Sequence, residues 1–203
     1  MAANSSGIEY GYLAGQYPGV LGHLYSPGSQ RGPWPFIPYA LDNGAYIAWA
    51  RGPEWKESTW VDLLEWARAS GQMPLWSLVP DVVTNRERTL ENWSKYEPVV
   101  RSFGFRTAFA VQNGMTFDDV PDDKCIVFLG GTIDWKEQAI DPWCARFPGR
   151  VHVGRVNAWP RLIKCYKAGA ISVDGTGWFM KKTGQRDDLV RFCQLMTAAR
   201  RAA

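Results

Sequence analysis

Short apolar stretches alternate along this chain with longer segments of helical spacing, and each short stretch closes on a polar residue or a glycine. No G-x-G-x-x-G turn follows the first stretch. These observations predict an α/β fold with a parallel sheet: a compact (β/α) barrel of the TIM type with one irregular or missing unit, not a dinucleotide-binding sheet. At 203 residues the chain is one domain spanning 1–203, short of the ~250 residues usual for eight complete units.

The elements follow in order. Ile8 to Ala14 is apolar enough for a strand, and a Gly/Pro-rich connection leads on to Pro35, so 1–35 reads as an irregular strand and loop. Phe36 to Leu41 is a second strand, ending in Asp-Asn-Gly-Ala. Glu57 to Ala69 carries Trp60, Val61, Leu64 and Ala67 at helical spacing, with Ser58 and Thr59 able to cap its start. Pro74 to Val79 is a buried strand ending in Pro80-Asp81. Thr84 to Phe103 is a helix with Leu90, Trp93, Tyr96 and Val100 on one face and Gly104 as its stop. Thr107 to Val111 and Cys125 to Leu129 are strands, ending in Gln112-Asn113-Gly114 and Gly130-Gly131-Thr132. A helix over Lys136 to Phe147, a strand over Val151 to Gly154 and a helix over Pro160 to Ala168 come next, with Gly169 at the last C-terminus. Ile171 to Val173 runs into Asp174-Gly175-Thr176-Gly177, and a basic helix from about Arg186 to Arg200 closes the chain within 186–203. About seven strands result.

Composition narrows the chemistry. A 46% hydrophobic, 21% charged chain has the balance of a folded domain, which excludes wholesale disorder. No run of ~18 apolar residues exists, and MAANSSGIEY lacks a charged-then-apolar signal pattern, so neither a membrane span nor signal-directed secretion is expected. Cys125, Cys144, Cys165 and Cys193 stand 19, 21 and 28 residues apart, without the close pairs that zinc and iron–sulfur motifs need. They read as reduced, buried thiols of a cytoplasmic protein. Only two histidines accompany eleven tryptophans, which disfavours hydrolases built on several histidines. The net charge of +3 hides an asymmetry: from Arg146 onward there are 12 Lys and Arg against 3 Asp and Glu, and before it 11 against 17. A basic final third can meet a polyanion or can simply be a solvated helix face.

The polar residues fall at strand ends. Asp42, Asp81, Gln112, Gly130-Gly131, Arg155 with Asn157, and Asp174 each follow an apolar stretch, so in a parallel barrel they converge on the C-terminal face. A carboxylate there is costly unless it is hydrogen-bonded or used. Each also has a local explanation. Asp42 and Asp174 suit turns before glycine, Asp81 suits a helix cap, Gln112 can bond its own loop, and the glycine pair suits a tight turn. His152 alternates inside a strand and reads as a buried histidine rather than a catalyst. Aspartates and an amide without a metal cluster suit displacement at a glycosidic carbon, where one carboxylate attacks and another group handles the proton.

These motifs resemble the tRNA-guanine transglycosylase superfamily, most closely its small zinc-less branch of deazapurine DNA modification proteins from viruses and bacteria. VHVGRVNAWPRLIKCYKAGAISVDGTG looks like the family stretch that ends in the nucleophilic aspartate, which implies Asp174. LDNGAY resembles D-S-G-G-F and makes Asp42 a base-contacting or proton-handling group; VPDVV places Asp81 at the Watson–Crick edge of the purine. AVQNG resembles V-Q-G-G, assigning Gln112 to the base, and FLGGT puts the Gly130 and Gly131 backbone against it. The likeness runs from about residue 36 to 178 with the motifs in family order. The family's C-x-C-x₂-C…H zinc segment is absent from this sequence, which argues against ordinary tRNA modification.

The resemblance implies exchange of guanine in DNA, less readily in tRNA, for a free 7-deazaguanine such as preQ0 through an aspartyl intermediate. Neither cofactor nor metal is called for, a unit this small can form a homodimer, and a viral member would work in the host cytoplasm. Arg155, Asn157, Arg161, Lys164, Lys181 and Lys182 are the expected nucleic-acid contacts, with Arg150, Lys167 and Arg186 as further phosphate candidates. Trp49, Trp135 and Trp178 are candidates to stack on a base. Two other readings stay open: a carboxylate glycoside or nucleoside hydrolase using Asp42 and Asp174, and a non-catalytic nucleic-acid-binding barrel.

Overall fold

Strand alternation gives the sheet an inside and an outside. In β5 (Thr107–Val111), Ala108 and Ala110 join Leu24, Ala40, Trp76, Leu78 and Ile126 in one buried cluster. Phe109 and Val111 belong instead to the larger core shared with the helices. In this computed structural model, which describes residues 1–3, 8–29, 33–121, 123–179 and 184–202, eight strands run parallel and neighbour one another in chain order.

β1 (Ala2–Ala3) leads to α1 (Ile8–Gln16), β2 (His23–Tyr25) and β3 (Tyr39–Leu41). Two helices, α2 (Ala45–Arg51) and α3 (Glu57–Ala69), precede β4 (Ser77–Leu78), and α4 (Arg86–Ser102) precedes β5. A 3₁₀ turn, Phe117–Asp119, stands between β5 and β6 (Ile126–Leu129). Then come α5 (Ile133–Arg146), β7 (Val151–Val153), α6 (Trp159–Ala168), β8 (Ser172–Val173), a second 3₁₀ turn at Gly177–Phe179, and α7 (Gln185–Ala202). The longest pairing is β5 with β6, from Ala108 opposite Ile126 to Val111 opposite Leu129. The ring closes at Met1, whose amine bonds the Val173 carbonyl and whose carbonyl accepts from the Gly175 amide at 3.1 Å. The fold is therefore a (β/α) barrel.

The barrel interior is small and filled by rings. Trp76 meets His152 edge-on at 4.8 Å, and Phe128 stacks on the same imidazole at 4.9 Å. Alanines at 40, 108 and 110 make room for these side chains. Outside the sheet, among the described residues, no α-helix joins β2 to β3 or β5 to β6. Aromatic side chains cover both places. Tyr25, Tyr39 and α3's Trp66 pack together at 4.8–6.1 Å, and Phe117 packs on α5's Trp143 and Phe147 at 4.9 and 6.0 Å. These two short connections let eight strands fit into 203 residues.

The expected elements from residue 57 onward are present within a few residues. The N-terminal third differs. Ile8 to Ala14 is helix, not strand: Tyr10, Leu13 and Ala14 are buried while Tyr12 is exposed, the spacing of a helical face. Its glycines masked that period, although a Cβ at Gly11 would meet the Trp34 ring only at an ordinary 3.7 Å. β1 and β2 carry too few residues to show a period, and α2 begins directly after Gly44. Ser58 and Thr59 do not cap α3. Lys56 occupies that position, and the Thr59 hydroxyl donates back to the Lys56 carbonyl at 2.8 Å.

His23 provides a test of the outer packing. It is buried, stacked on Tyr25 at 4.0 Å, with Nδ1 lacking a partner, and burial lowers its pKa from 6.5 to about 4. The unfolded chain thus binds a proton that the folded chain refuses, so this contribution is complete above pH 6.5 and is lost as pH falls through 4. His23→Phe should gain on the wild type by up to about 3 kcal/mol between pH 8 and pH 4, read from urea denaturation at both values. A difference between the two proteins that is flat with pH would refute this account.

Candidate active site

The C-terminal ends of the strands carry the polar residues, because a parallel barrel turns every strand-to-helix connection to the same face. Asp174 follows β8 and is 6% exposed. His152 Nε2 lies 3.1 Å from its Oδ2, and the Arg155 backbone N–H donates to its Oδ1 at 3.2 Å. The other imidazole nitrogen, Nδ1, lies 2.7 Å from the Ser172 hydroxyl. Ser172 donating to Nδ1 leaves the proton on Nε2, which then donates to Asp174. Burial holds His152 below its usual range, even against the pull of Asp174, so the ring is neutral. Burial alone would raise Asp174, but the His152 imidazole, the positive Met1 amine and the Arg155 amide together outweigh it and hold the carboxyl below its ordinary value. The result is an ionised carboxylate with one donor on each oxygen.

Asp42, directly after β3, behaves oppositely. Burial pushes its carboxyl up to about 6; the Ser26 hydroxyl, 2.9 Å from Oδ2, pulls it down, and the charges of Asp174 and Asp81 push it up. The Gly44 amide donates to the Asp42 carboxyl, and Asn43 Oδ1 accepts from the Ala45 amide at 2.8 Å, so both residues shape the turn. The Asn43 amide nitrogen donates to Asp81 Oδ1 at 2.8 Å and to the Val79 carbonyl at 2.9 Å. Asp81 receives a second donor on Oδ2, from Gln112 Nε2 at 3.1 Å, and burial raises its pKa too. It does not cap α4, where Asn85 accepts from the Arg88 amide at 2.9 Å. Three carboxyl groups thus converge at one mouth, Asp42 and Asp81 pushed up and Asp174 held down.

Several sequence-based assignments change. Gln112 was expected to read a base, but both ends of its amide are committed to the protein. Nε2 donates to Asp81, Val82 and Thr89, and Oε1 accepts from the Thr84 amide at 2.6 Å. At 5% exposure it positions Asp81. Gly130 uses its own N–H on the Val111 carbonyl at 2.9 Å, so that donor is not offered to a ligand. Gly131 has φ 66°, and a Cβ there would sit 2.6 Å from the Trp135 ring, so packing requires the glycine. Its carbonyl accepts from the Arg155 guanidinium. Arg155 itself has φ 57° and lies over the Tyr46 ring at 4.3 Å, which ties the loops after β3, β6 and β7 together beside Asp174.

The basic residues are mostly occupied. Arg161 pairs with Glu137 at 2.5 Å and Lys164 with Asp141 at 3.4 Å, so these two expected nucleic-acid contacts staple α6 to α5. Asn157 is a loop brace, accepting from the Gly177 amide at 2.8 Å and, through its carbonyl, from Gln185 at 2.6 Å. Arg150 bonds the Cys125 carbonyl at the opposite end of the barrel, and Arg186 pairs with Glu9. Lys181 and Lys182 lie outside the described residues. Trp178 is buried in the core and Trp135 packs on Gly131, whereas Trp49 is 58% exposed beside Tyr46.

His152 and Lys136 are the residues that sequence reasoning missed as parts of the site. The signal for His152 was its place two residues before the end of an apolar strand, where period two turns it into the barrel with Asp174. Lys136 gave none, being one lysine in an amphipathic helix. Among the described residues no group of three or more His, Cys, Asp or Glu is arranged to hold a metal ion. No helix among them is long and apolar enough to cross a membrane. A cavity of about 340 Å³ lies elsewhere, at the seam of β8 with Met1 under α6 and α7, and its apolar lining includes none of the three aspartates.

No protein-family model matches the chain, and no curated protein matches it. Among solved structures it is similar to the tryptophan synthase a2b2 complex from the hyperthermophile Pyrococcus furiosus, with 18% identity, a TM-score of 0.50, and coverage of 91% of this chain and 86% of that chain. Likeness at that identity supports the barrel fold.

The raised pKa of Asp42 has a cost in stability. The unfolded carboxyl ionises at 3.8 and the folded one at about 6, so stability is full below 3.8 and is lost as pH rises through 6. Asp42→Asn should therefore be more stable than the wild type at pH 8, by up to about 3 kcal/mol, and gain far less at pH 4. Urea midpoints at the two pH values check this, and equal gains at both would contradict it.

Proposed function

We propose that the protein exchanges guanine in DNA for a 7-deazaguanine base through a covalent intermediate on Asp174. The observation that carries this reading is the divergence of two neighbouring carboxyls. Asp174 is held ionised and Asp42 is held toward its protonated form, the division of labour that nucleophilic displacement with general acid help requires. The ordered motifs that resemble the guanine transglycosylases specify the leaving group.

In the first step an Asp174 oxygen bonds C1′ as the C1′–N9 bond breaks. The bonding pair leaves on the guanine ring, and Asp42 supplies the proton that neutralises it. In the second step the incoming base gives its N9 proton to the Asp42 carboxylate. N9 then bonds C1′ and the Asp174–C1′ bond breaks, restoring both carboxyls. Asp81, braced by Asn43 and Gln112, keeps a free lone pair on each oxygen for the Watson–Crick edge of the base. The target nucleotide has to leave the stack to reach the barrel mouth, and exposed Trp49 can stack on a base there. Arg155, beside Asp174, exposed Lys167 and the Lys181-Lys182 pair are the remaining candidates for backbone contacts. The chain needs no cofactor for this sequence of steps.

Incubation with DNA and preQ0, followed by digestion to nucleosides and mass spectrometry, should yield the deazaguanosine. Asp174→Ala should lower the rate by at least about 10³-fold. kcat/KM should fall as pH rises through about 6, when Asp42 loses its proton, and Asp42→Asn should remove that limb. Guanine release without incorporation would favour a hydrolase, and DNA binding without any base release would favour a non-catalytic barrel; either result defeats the exchange reading.

A further inference from the structure

Lys136 ends the first turn of α5 and is 0% exposed, although its helix neighbours Asp134 and Glu137 reach solvent. Its ammonium donates to the Gly154 carbonyl. A buried ammonium is costly unless another charge and several acceptors compensate it, and packing alone would be served as well by an apolar side chain. What it bonds is therefore informative. Gly154 directly follows β7, its own amide donates to the Leu129 carbonyl at 3.0 Å, and a Cβ there would come within 2.9 Å of the Phe128 ring. The next residue, Arg155, is one of two described non-glycine residues with positive φ, and its amide is a donor to Asp174.

We propose that Lys136 is a positioning residue for Asp174: bonded to the Gly154 carbonyl, it holds the Gly154–Arg155 turn in the form that aims the Arg155 amide at the carboxylate, and its charge balances that carboxylate. The role rests on the reading of Asp174 as the nucleophile. Around the ammonium stand Arg155 from the loop after β7, Asp174 from β8, and Arg161 and Cys165 from α6. Around Asp174 stand His152, the Arg155 amide, the Met1 amine and Asp42. Burial lowers the Lys136 pKa to about 8, which leaves the group largely cationic at neutral pH.

The test compares the wild type with Lys136→Met, which keeps the stem and removes the charge, and Lys136→Gln, which keeps a donor without charge. Carboxyl ¹³C titration, with the Asp174 resonance assigned by its loss in Asp174→Asn, reads the nucleophile directly and needs no substrate. The Asp174 midpoint should rise by about one pH unit in Lys136→Met, and exchange kcat should fall about tenfold or more with KM for the free base little changed. An unchanged midpoint in the folded variant overturns the proposal, whether or not exchange activity is found. Absence of exchange in the wild type, with the midpoint shifted, defeats the functional reading and leaves the positioning role standing. Should both variants lose their folding transition, the reciprocal measurement decides. In full-length Asp174→Asn, the ¹⁵N titration midpoint of the Lys136 amine should fall by a similar amount, and an unmoved midpoint refutes the coupling.

Discussion

The Asp174–His152–Ser172 chain is the interaction on which the rest of the structure depends. It runs from the mouth of the barrel into its interior, so the group with chemical potential at the rim is anchored on the packing below it. The neutral imidazole fits only because Trp76 and Phe128 enclose it, and those rings fit only because three neighbouring positions are alanine. An ionised carboxylate with two fixed donors keeps its geometry through the formation of a bond, which is the sense in which a site is preorganised. Lys136 and Arg155 extend the same support outward to the loops after β6 and β7.

A second network holds the other half of the mouth. Asn43 and Gln112 grip the two oxygens of Asp81 from either side, linking the loops after β3, β4 and β5. Neither amide is free, so their value lies in aligning a carboxylate. Asp42 stands between the two networks, with Ser26 as its hydroxyl partner and both other aspartates in its field. Its elevated pKa arises chiefly from burial and secondarily from crowding of like charge, and only the second effect vanishes if the neighbours are neutralised.

Much of this was legible in the chain itself. The strand ends from Asp81 to Asp174 could be placed because β5, β6 and β7 are buried on both faces and their flanking helices have clear periods. The convergence of Asp42, Asp81 and Asp174 followed from that placement. The N-terminal third was not legible: strands of two and three residues have no period to read, and the glycines of α1 hide its helical face. The internal bonds of Gln112 and Gly130 were not legible either, because a sequence shows which groups reach a mouth and not which of their hydrogen bonds are already taken. Arg161 and Lys164 illustrate the same point for charge: a basic count cannot reveal that Glu137 and Asp141 on the neighbouring helix absorb it.

The aromatic cover over the two helix-free connections has a thermodynamic consequence. A helix of ten or so residues must surrender backbone freedom worth roughly 1–2 kcal/mol per residue when it docks. A tryptophan or tyrosine ring shields a comparable patch of sheet while immobilising only two torsions, and it is stiff before it arrives. Trp66, Phe117 and Trp143 thus let the barrel keep all eight strands while ordering less chain. Two of the eleven tryptophans, Trp66 and Trp143, in this light serve as an entropic device suited to a small barrel.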